Sequence, residues 1–276
     1  MRTGQRRREI LRQLYLTGYV EARDLAVTLD VDASTIRRDL GALAHDGHLH
    51  RTHGGARAHS GAVDVPYVVK EQEHLEAKQA IAAAACALVH DGDSVLLDSG
   101  STTYQLAGEL RARRDLTIVT NDLRIGQAVA DYPGVRLLVT GGELLSSTYT
   151  LFGDRAVAFI EDLRVDLAFL GADAIDIGSG ITNTNTLEIP LKRMMLTVAR
   201  TNVVLADSSK FGQRALVRVA EIDEVDRIVT DDRLDEREAA AYGDRLERVS
   251  LPPAVNATDL VAPVRGGGVT AIREPA

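Results

Sequence analysis

The chain has 276 residues, enough for two domains, and its 45% hydrophobic and 26% charged content is that of a globular protein with a sizeable core. A net charge of -8 would argue against a nucleic-acid partner if it were spread evenly, but residues 1–56 hold nine Lys/Arg, seven Asp/Glu and four of the seven histidines. That head is +2 and the remainder -10, so the head can approach phosphate while the body repels it. The single cysteine, Cys86, excludes an intrachain disulfide and, in IAAAACALV, reads as a small core residue. No run approaches the ~18 apolar residues of a membrane span. MRTGQRRREILRQL is charged with no apolar stretch behind it, unlike a secretory signal, so a cytoplasmic location with no membrane partner is expected.

In chain order, residues 1–56 predict three helices and a wing. Ile10, Leu11 and Leu14 recur at helical spacing up to a stop at Gly18, and Leu25, Ala26 and Leu29 mark a second short helix. Asp32 is suited to cap a third, ASTIRRDLGALAHDG, which Gly47 ends. HLHRTHGG then alternates and closes on two glycines, as a β-ribbon would. GARAHSGAVDVP is small, polar and pattern-free, and a linker is expected over residues 57–72.

From residue 73 to 250 an amphipathic stretch, EQEHLEAKQAIAAAACALV, leads into a strand–helix rhythm. Candidate strands are SVLLD (94–98), LTIVT (116–120), VRLLVT (135–140), VDLAFLG (165–171), TNVVLAD (201–207) and DRIVTD (226–231). Nearly continuous aliphatic runs separated by helices predict an α/β domain on a mostly parallel sheet. Residues 251–276, with Pro252, Pro253, Pro263 and Gly266 to Gly268, have little to pack, and a disordered tail is expected there.

In the third helix Ile36, Leu40 and Leu43 share one face, with Arg38 almost opposite and Ser34, Thr35 and Arg37 flanking. Arginine can bridge guanine O6 and N7, while Ser and Thr can bond bases or phosphates. His50, Arg51, Thr52 and His53 of the wing add groove or phosphate contacts. A solvated charged helix is the plainer alternative for an RRD triplet alone. The capped turn, the helix lengths, the wing and the local charge reversal favour double-stranded operator DNA. VTLDVDASTIRRDL, followed by a His- and Arg-containing wing and Gly54–Gly55, resembles the head of the DeoR family of bacterial regulators. Glu21 departs from the Ser or Thr usual at the start of that family's second helix.

The resemblance extends to about residue 250, and each loop that carries it has its own chemistry. Asp98, Ser99, Gly100, Ser101, Thr102 and Thr103 follow a buried strand and open a helix, where free N–H groups and the dipole suit an anion; a simple capping turn is the alternative. The resemblance implies a phosphate loop, because such bodies are similar to ribose-5-phosphate isomerase. Asn121 with Asp122, and Gly141 with Gly142, also end strands, at the edge where ligands bind in such sheets. Asp173 follows a fourth strand and suits sugar hydroxyls. Lys210 follows a fifth and supplies a cation.

Glu188, in NTLEIPLKR, stands where the isomerase-like pattern would put its base. Two departures count against turnover: Leu170 replaces the acid of the enzyme's Asp-Gly-Ala-Asp segment, and IGSGITN replaces its lysine-glycine run. An effector-binding site is therefore expected, with no catalytic residue, metal or cofactor, and an isomerase carrying a DNA-binding head is the alternative. A purely architectural DNA-binding protein would need no such cluster of polar loops. The expected protein is a homo-oligomeric repressor, dimer or tetramer, of sugar-metabolism genes, released from its operator by a phosphosugar.

Overall fold

The structure, a computed structural model, describes residues 1–58 and 67–251. The expected tail therefore lies outside the described residues from 252 onward, as do residues 59–66, half of the expected linker.

In the head, α1 (Thr3–Thr17) stops at Gly18, whose left-handed backbone returns its N–H to Leu14 O. A short strand absent from the expectation, β1 (Tyr19–Glu21), follows directly. Three residues are too few for alternation to show. Then come α2 (Ala22–Thr28) and α3 (Ala33–His45); the Asp32 carboxylate accepts the Ser34 N–H at 2.7 Å, while Glu21 makes no side-chain cap on α2. The wing strands β2 (His50–Arg51) and β3 (Gly55–Arg57) join β1 in an antiparallel sheet ordered β1-β3-β2. A Cβ on Gly55 would lie 2.1 Å from Val20 O, so only glycine allows β3 to approach β1. Ile10, Leu11, Leu14, Leu25, Ile36, Leu40 and Leu43 form the head's core.

Arg57 thus belongs to the wing. The segment beyond residue 66 coils into α4 (Tyr67–Lys70), in a stretch expected to be linker, because Tyr67 and Val69 are both buried. The body opens with α5 (Leu75–Cys86), β4 (Ser94–Leu97), α6 (Ser101–Glu109), β5 (Thr117–Thr120), α7 (Leu123–Val129) and β6 (Arg136–Val139). A hairpin of β7 (Glu143–Leu145) and β8 (Thr150–Phe152) leads to α8 (Asp154–Glu161) and β9 (Val165–Gly171). After β10 (Ala174–Asp176) and β11 (Gly180–Asn183) come α9 (Ile189–Val198), β12 (Ala199–Leu205), β13 (Val217–Ala220), β14 (Arg227–Asp231), α10 (Glu236–Ala240) and β15 (Leu246–Val249).

Seven strands form one parallel sheet ordered β15-β14-β12-β9-β4-β5-β6. The expected mostly parallel α/β body is therefore present, and all six strands foreseen from the aliphatic runs belong to this sheet. Alternation sends Val95, Leu97, Phe169 and Val203 to a core shared with α5, α6 and α7. Leu96, Ala168, Leu170 and Val204 face the opposite core beneath α8 and α9. Burial of both faces explains the continuous aliphatic runs. The order reverses between β4 and β9: from β4 the chain winds outward through β5 to β6, then returns to β9 on β4's other side and winds out to β15. Such a switch point leaves a crevice beyond the strands' carboxyl ends.

Candidate functional site

The crevice at the β4/β9 switch is an open cleft lined largely by polar and charged side chains. Each strand end beside it contributes. Ser99 to Thr102 enter from the β4 end, Gly171 to Asp173 from the β9 end, and Ala206, Asp207 and Lys210 from the β12 end. Gly100 caps α6, whose first turn carries Ser101, Thr102 and Thr103, all buried. That helix start offers N–H groups and the positive dipole end to an anion.

Of the expected effector residues, the structure brings Gly100, Ser101, Thr102, Asp173, Glu188 and Lys210 into the cleft lining. Asp98, Thr103, Asn121, Asp122, Gly141 and Gly142 are not among the lining residues. Asp98 is held by Lys192 and accepts the Gly171 N–H at 3.1 Å. Thr103 donates its hydroxyl to Gly100 O at 2.9 Å. Asp122 caps α7 through the Arg124 and Ile125 N–H groups and also accepts from Ser99 Oγ at 3.0 Å; burial raises its pKa. Asn121 is buried, with its amide N–H on Leu151 O. Gly141 and Gly142 turn the chain into the β7–β8 hairpin, where a Cβ on Gly142 would lie 2.4 Å from Phe152 O. Asn121, Asp122 and the two glycines follow β5 and β6, the strands on the outer side of β4, away from the switch.

Three lysines were absent from the sequence expectation. Lys192 on α9 is sealed against Asp98 and donates to Gly171 O at 2.9 Å. Burial opposes its charge, but Asp98, Glu188 and Asp173 outweigh burial and raise its pKa. Lys78 on α5 is 4% exposed and donates to the carbonyls of Lys70 and Glu73. Desolvation pulls its pKa down to about 8. Lys70 pairs with Asp173 at 3.1 Å. Burial works against the ionisation of Asp173, yet Lys70, the Thr184 N–H and Lys192 hold its pKa down to about 2. Nothing in the local patterns around these lysines sets them apart from surface lysines, except that Lys78 and Lys192 lie on the apolar sides of their helices.

Two buried polar atoms on lining residues, Asn183 Oδ1 and Tyr67 Oη, have no protein partner. Burying such groups unpaired is costly, so a ligand or water is needed to complete them. Glu188 accepts the Asn185 amide at 3.0 Å, and Leu170 is in the sheet core rather than the cleft. Among the described residues, no group of three His, Cys, Asp or Glu is placed to hold a metal ion.

On the head, α3 buries Ile36, Leu40 and Leu43 and exposes Ser34, Arg37 and Arg38, with Thr35 half-buried. His50, Arg51 and His53 are exposed on the wing, and Arg51 donates to Arg37 O at 2.9 Å, tying wing to helix. The Thr52 hydroxyl, expected to face DNA, is covered and has no protein partner. Asp39, which follows the arginine pair, is buried and accepts Arg6 Nε at 2.6 Å and Arg7 Nε at 3.0 Å from α1. It orients α3 on α1, leaving Arg38 to face outward.

A helix-turn-helix head with an open cationic face, attached to a doubly wound body with a polar cleft at its switch point, defines a two-part transcriptional regulator. A family model described as the DeoR C terminal sensor domain matches residues 73–232, and one described as the DeoR-like helix-turn-helix domain matches residues 6–61. The chain belongs to the DeoR family. It is 34% identical over 236 residues to the HTH-type transcriptional regulator GlpR of Haloferax volcanii, covering 85% of this chain and 92% of that protein. It is 32% identical over 232 residues to the glycerol-3-phosphate regulon repressor of Haemophilus influenzae, covering 84% and 91%. A solved ribose 5-phosphate isomerase A from Methanocaldococcus jannaschii matches 49% of this chain and 53% of its own at 22% identity and a TM-score of 0.36, a partial likeness of fold only. The relatives are named as transcriptional regulators and repressors, so the chain is not read as an enzyme and the isomerase alternative falls. No described helix is long and apolar enough to cross a membrane.

Proposed function

We propose that this chain is a cytoplasmic repressor of carbohydrate-metabolism genes that leaves its operator when a phosphorylated sugar or related polyol phosphate fills the β4/β9 cleft. The observation that carries this reading is the convergence, in one cleft, of the α6 N-terminus, Lys78 and Lys210 with Asp173, Asn183 and Tyr67. The first group suits a phosphate and the second suits hydroxyls. Lys78 favours a charged ligand in particular, since a desolvated ammonium is stabilised by an incoming anion. On the head, Ser34, Thr35, Arg37 and Arg38 read the major groove, while His50, Arg51 and His53 contact the backbone or adjacent groove. Chains associate into a homo-oligomer that sets two heads on half-sites one or more helical turns apart.

The test is calorimetric titration of the full chain with a panel of sugar and polyol phosphates, each beside its unphosphorylated counterpart, together with thermal unfolding. Saturable binding of at least one phosphate and of none of the neutral counterparts is expected. Equal binding of a sugar with and without its phosphate would remove the anion from the reading.

A further inference from the structure

The segment that leaves the head does not merely span to the body; it lines the cleft. Four residues within 67–71 are committed in three directions. Tyr67 enters the body, where its ring meets Tyr104 and Tyr149 edge-on and the Arg124 guanidinium lies 3.9 Å from its centroid. Glu71 pairs with the same Arg124 at 3.3 Å. Val69 points the other way, buried to 3% exposure in the hydrophobic core of the head, where α4 packs on α1. Lys70 reaches into the cleft to Asp173.

The cleft's own groups hold this turn down. Lys78 donates to the carbonyls of Lys70 and Glu73, closing the segment onto α5. His74, another lining residue, takes a left-handed backbone (φ 52°) where the turn becomes α5, a conformation that a non-glycine residue holds only when its surroundings enforce it. The groups best suited to a ligand, the Asp173 carboxylate and the Lys78 ammonium, are therefore also those that seat the turn. The unpaired Tyr67 hydroxyl also lines the cleft from this turn.

We propose that Tyr67–His74 is the transmission element of the regulator: a wall of the effector cleft that also closes the head's core, and that is unseated when a polyol phosphate takes Asp173 with its hydroxyls and Lys78 with its phosphate. This rests on the reading of the cleft as a phosphosugar site. An effector alters operator affinity only through contacts that differ between two states. Here those contacts are the Lys70–Asp173 pair and the Lys78–carbonyl bonds, and Val69 carries the difference into the head. Lys70 acts as a positioning residue in this scheme.

Hydrogen exchange on the full chain, with glycerol 3-phosphate and fructose 6-phosphate as probes, tests the proposal. The Glu71 and Gln72 amides, bonded to Tyr67 O at 2.8 Å and Val69 O at 3.3 Å, report the seating of the turn. A probe that binds by calorimetry should speed their exchange about tenfold. Lys70→Met should show the faster exchange without any probe, and Lys70→Arg, which can still pair with Asp173, should not. On an operator duplex selected with the wild-type chain, the ratio of operator Kd with and without saturating probe should fall towards one in Lys70→Met and stay at the wild-type value in Lys70→Arg. A lysine that only bound phosphate would change the probe's affinity and leave that saturated ratio intact, which would overturn the proposal. So would a probe that binds while the two amides exchange at an unchanged rate, although the phosphosugar reading would survive. If neither probe binds, nor any other polyol phosphate, the cleft reading fails and this proposal falls with it.

Discussion

Lys192 on α9 and Asp98 at the end of β4 form an ion pair beneath the cleft, with only 2% and 1% of their side chains exposed. The same Asp98 oxygen takes the Gly171 N–H, and Lys192 also donates to Gly171 O, so the pair clamps β4 to β9 where the strand order reverses. Removing Asp98 strips the buried Lys192 ammonium of its direct partner, leaving only Glu188 and Asp173 to support the charge, whereas removing both partners leaves no such charge. Asp98→Ala should cost about 3–5 kcal/mol of stability. Asp98→Ala combined with Lys192→Met should be more stable than Asp98→Ala alone. Urea unfolding of the three proteins measures this.

Lys78 should impose a pH dependence on the proposed ligand binding. Its pKa is depressed to about 8 by burial, so the ammonium is lost from the free cleft as pH rises through that value. A phosphate is fully dianionic there and does not offset the loss. Effector affinity should therefore hold below about pH 8 and fall by up to about tenfold per pH unit above it. For folding the sign is opposite. The unfolded chain holds this proton up to the ordinary lysine value of 10.5, so the cost of burying the charge is relieved as pH rises from about 8 towards 10.5. Calorimetry from pH 7 to 9.5 on wild type and Lys78→Met separates the two, since the variant should bind weakly with a flat profile.

Lys210 and Ser101 line the same cleft and should differ in weight. A charge-assisted contact is worth roughly twice a neutral one. Lys210→Ala should bind operator normally yet ignore effector at concentrations that release the wild type, and Ser101→Ala should respond at higher effector. Titration of each variant beside an operator gel shift decides this, and unchanged affinity in Lys210→Ala would remove it from the phosphate site.

The head's arginines divide by role. Arg38, exposed on α3, should lose about 1–3 kcal/mol of specific operator affinity on change to alanine, with a smaller effect on random DNA. Asp39→Ala should weaken binding to both DNAs and lower head stability, because Arg6 and Arg7 lose their shared carboxylate and α3 loses its fixed orientation. Arg51→Ala should reduce both affinities, through the wing contact and through its bond to Arg37 O. Anisotropy titrations over a range of salt sort these variants.

Residues 33–45 show what was legible locally. The Asp32 cap, the apolar spacing of Ile36, Leu40 and Leu43, and the outward placement of Arg38 all depend on neighbours within a few turns, and the structure reproduces each. The six foreseen strands were legible for a similar reason: β4, β5, β9, β12 and β14 bury consecutive residues, which draws on aliphatic side chains for both faces, while β6 at the sheet edge is only half-buried. Hydrophobic periodicity is the same whichever strand lies beside which, however. Only the tertiary order, with β9 returning to β4, decides that the β4, β9 and β12 ends share a cleft while Asn121, Asp122, Gly141 and Gly142 stand outside it. Likewise, Lys70, Lys78 and Lys192 read in sequence as ordinary lysines. Their roles arise from partners at Asp173, at the Lys70 and Glu73 carbonyls and at Asp98, contacts that exist only once the chain has packed into its tertiary fold.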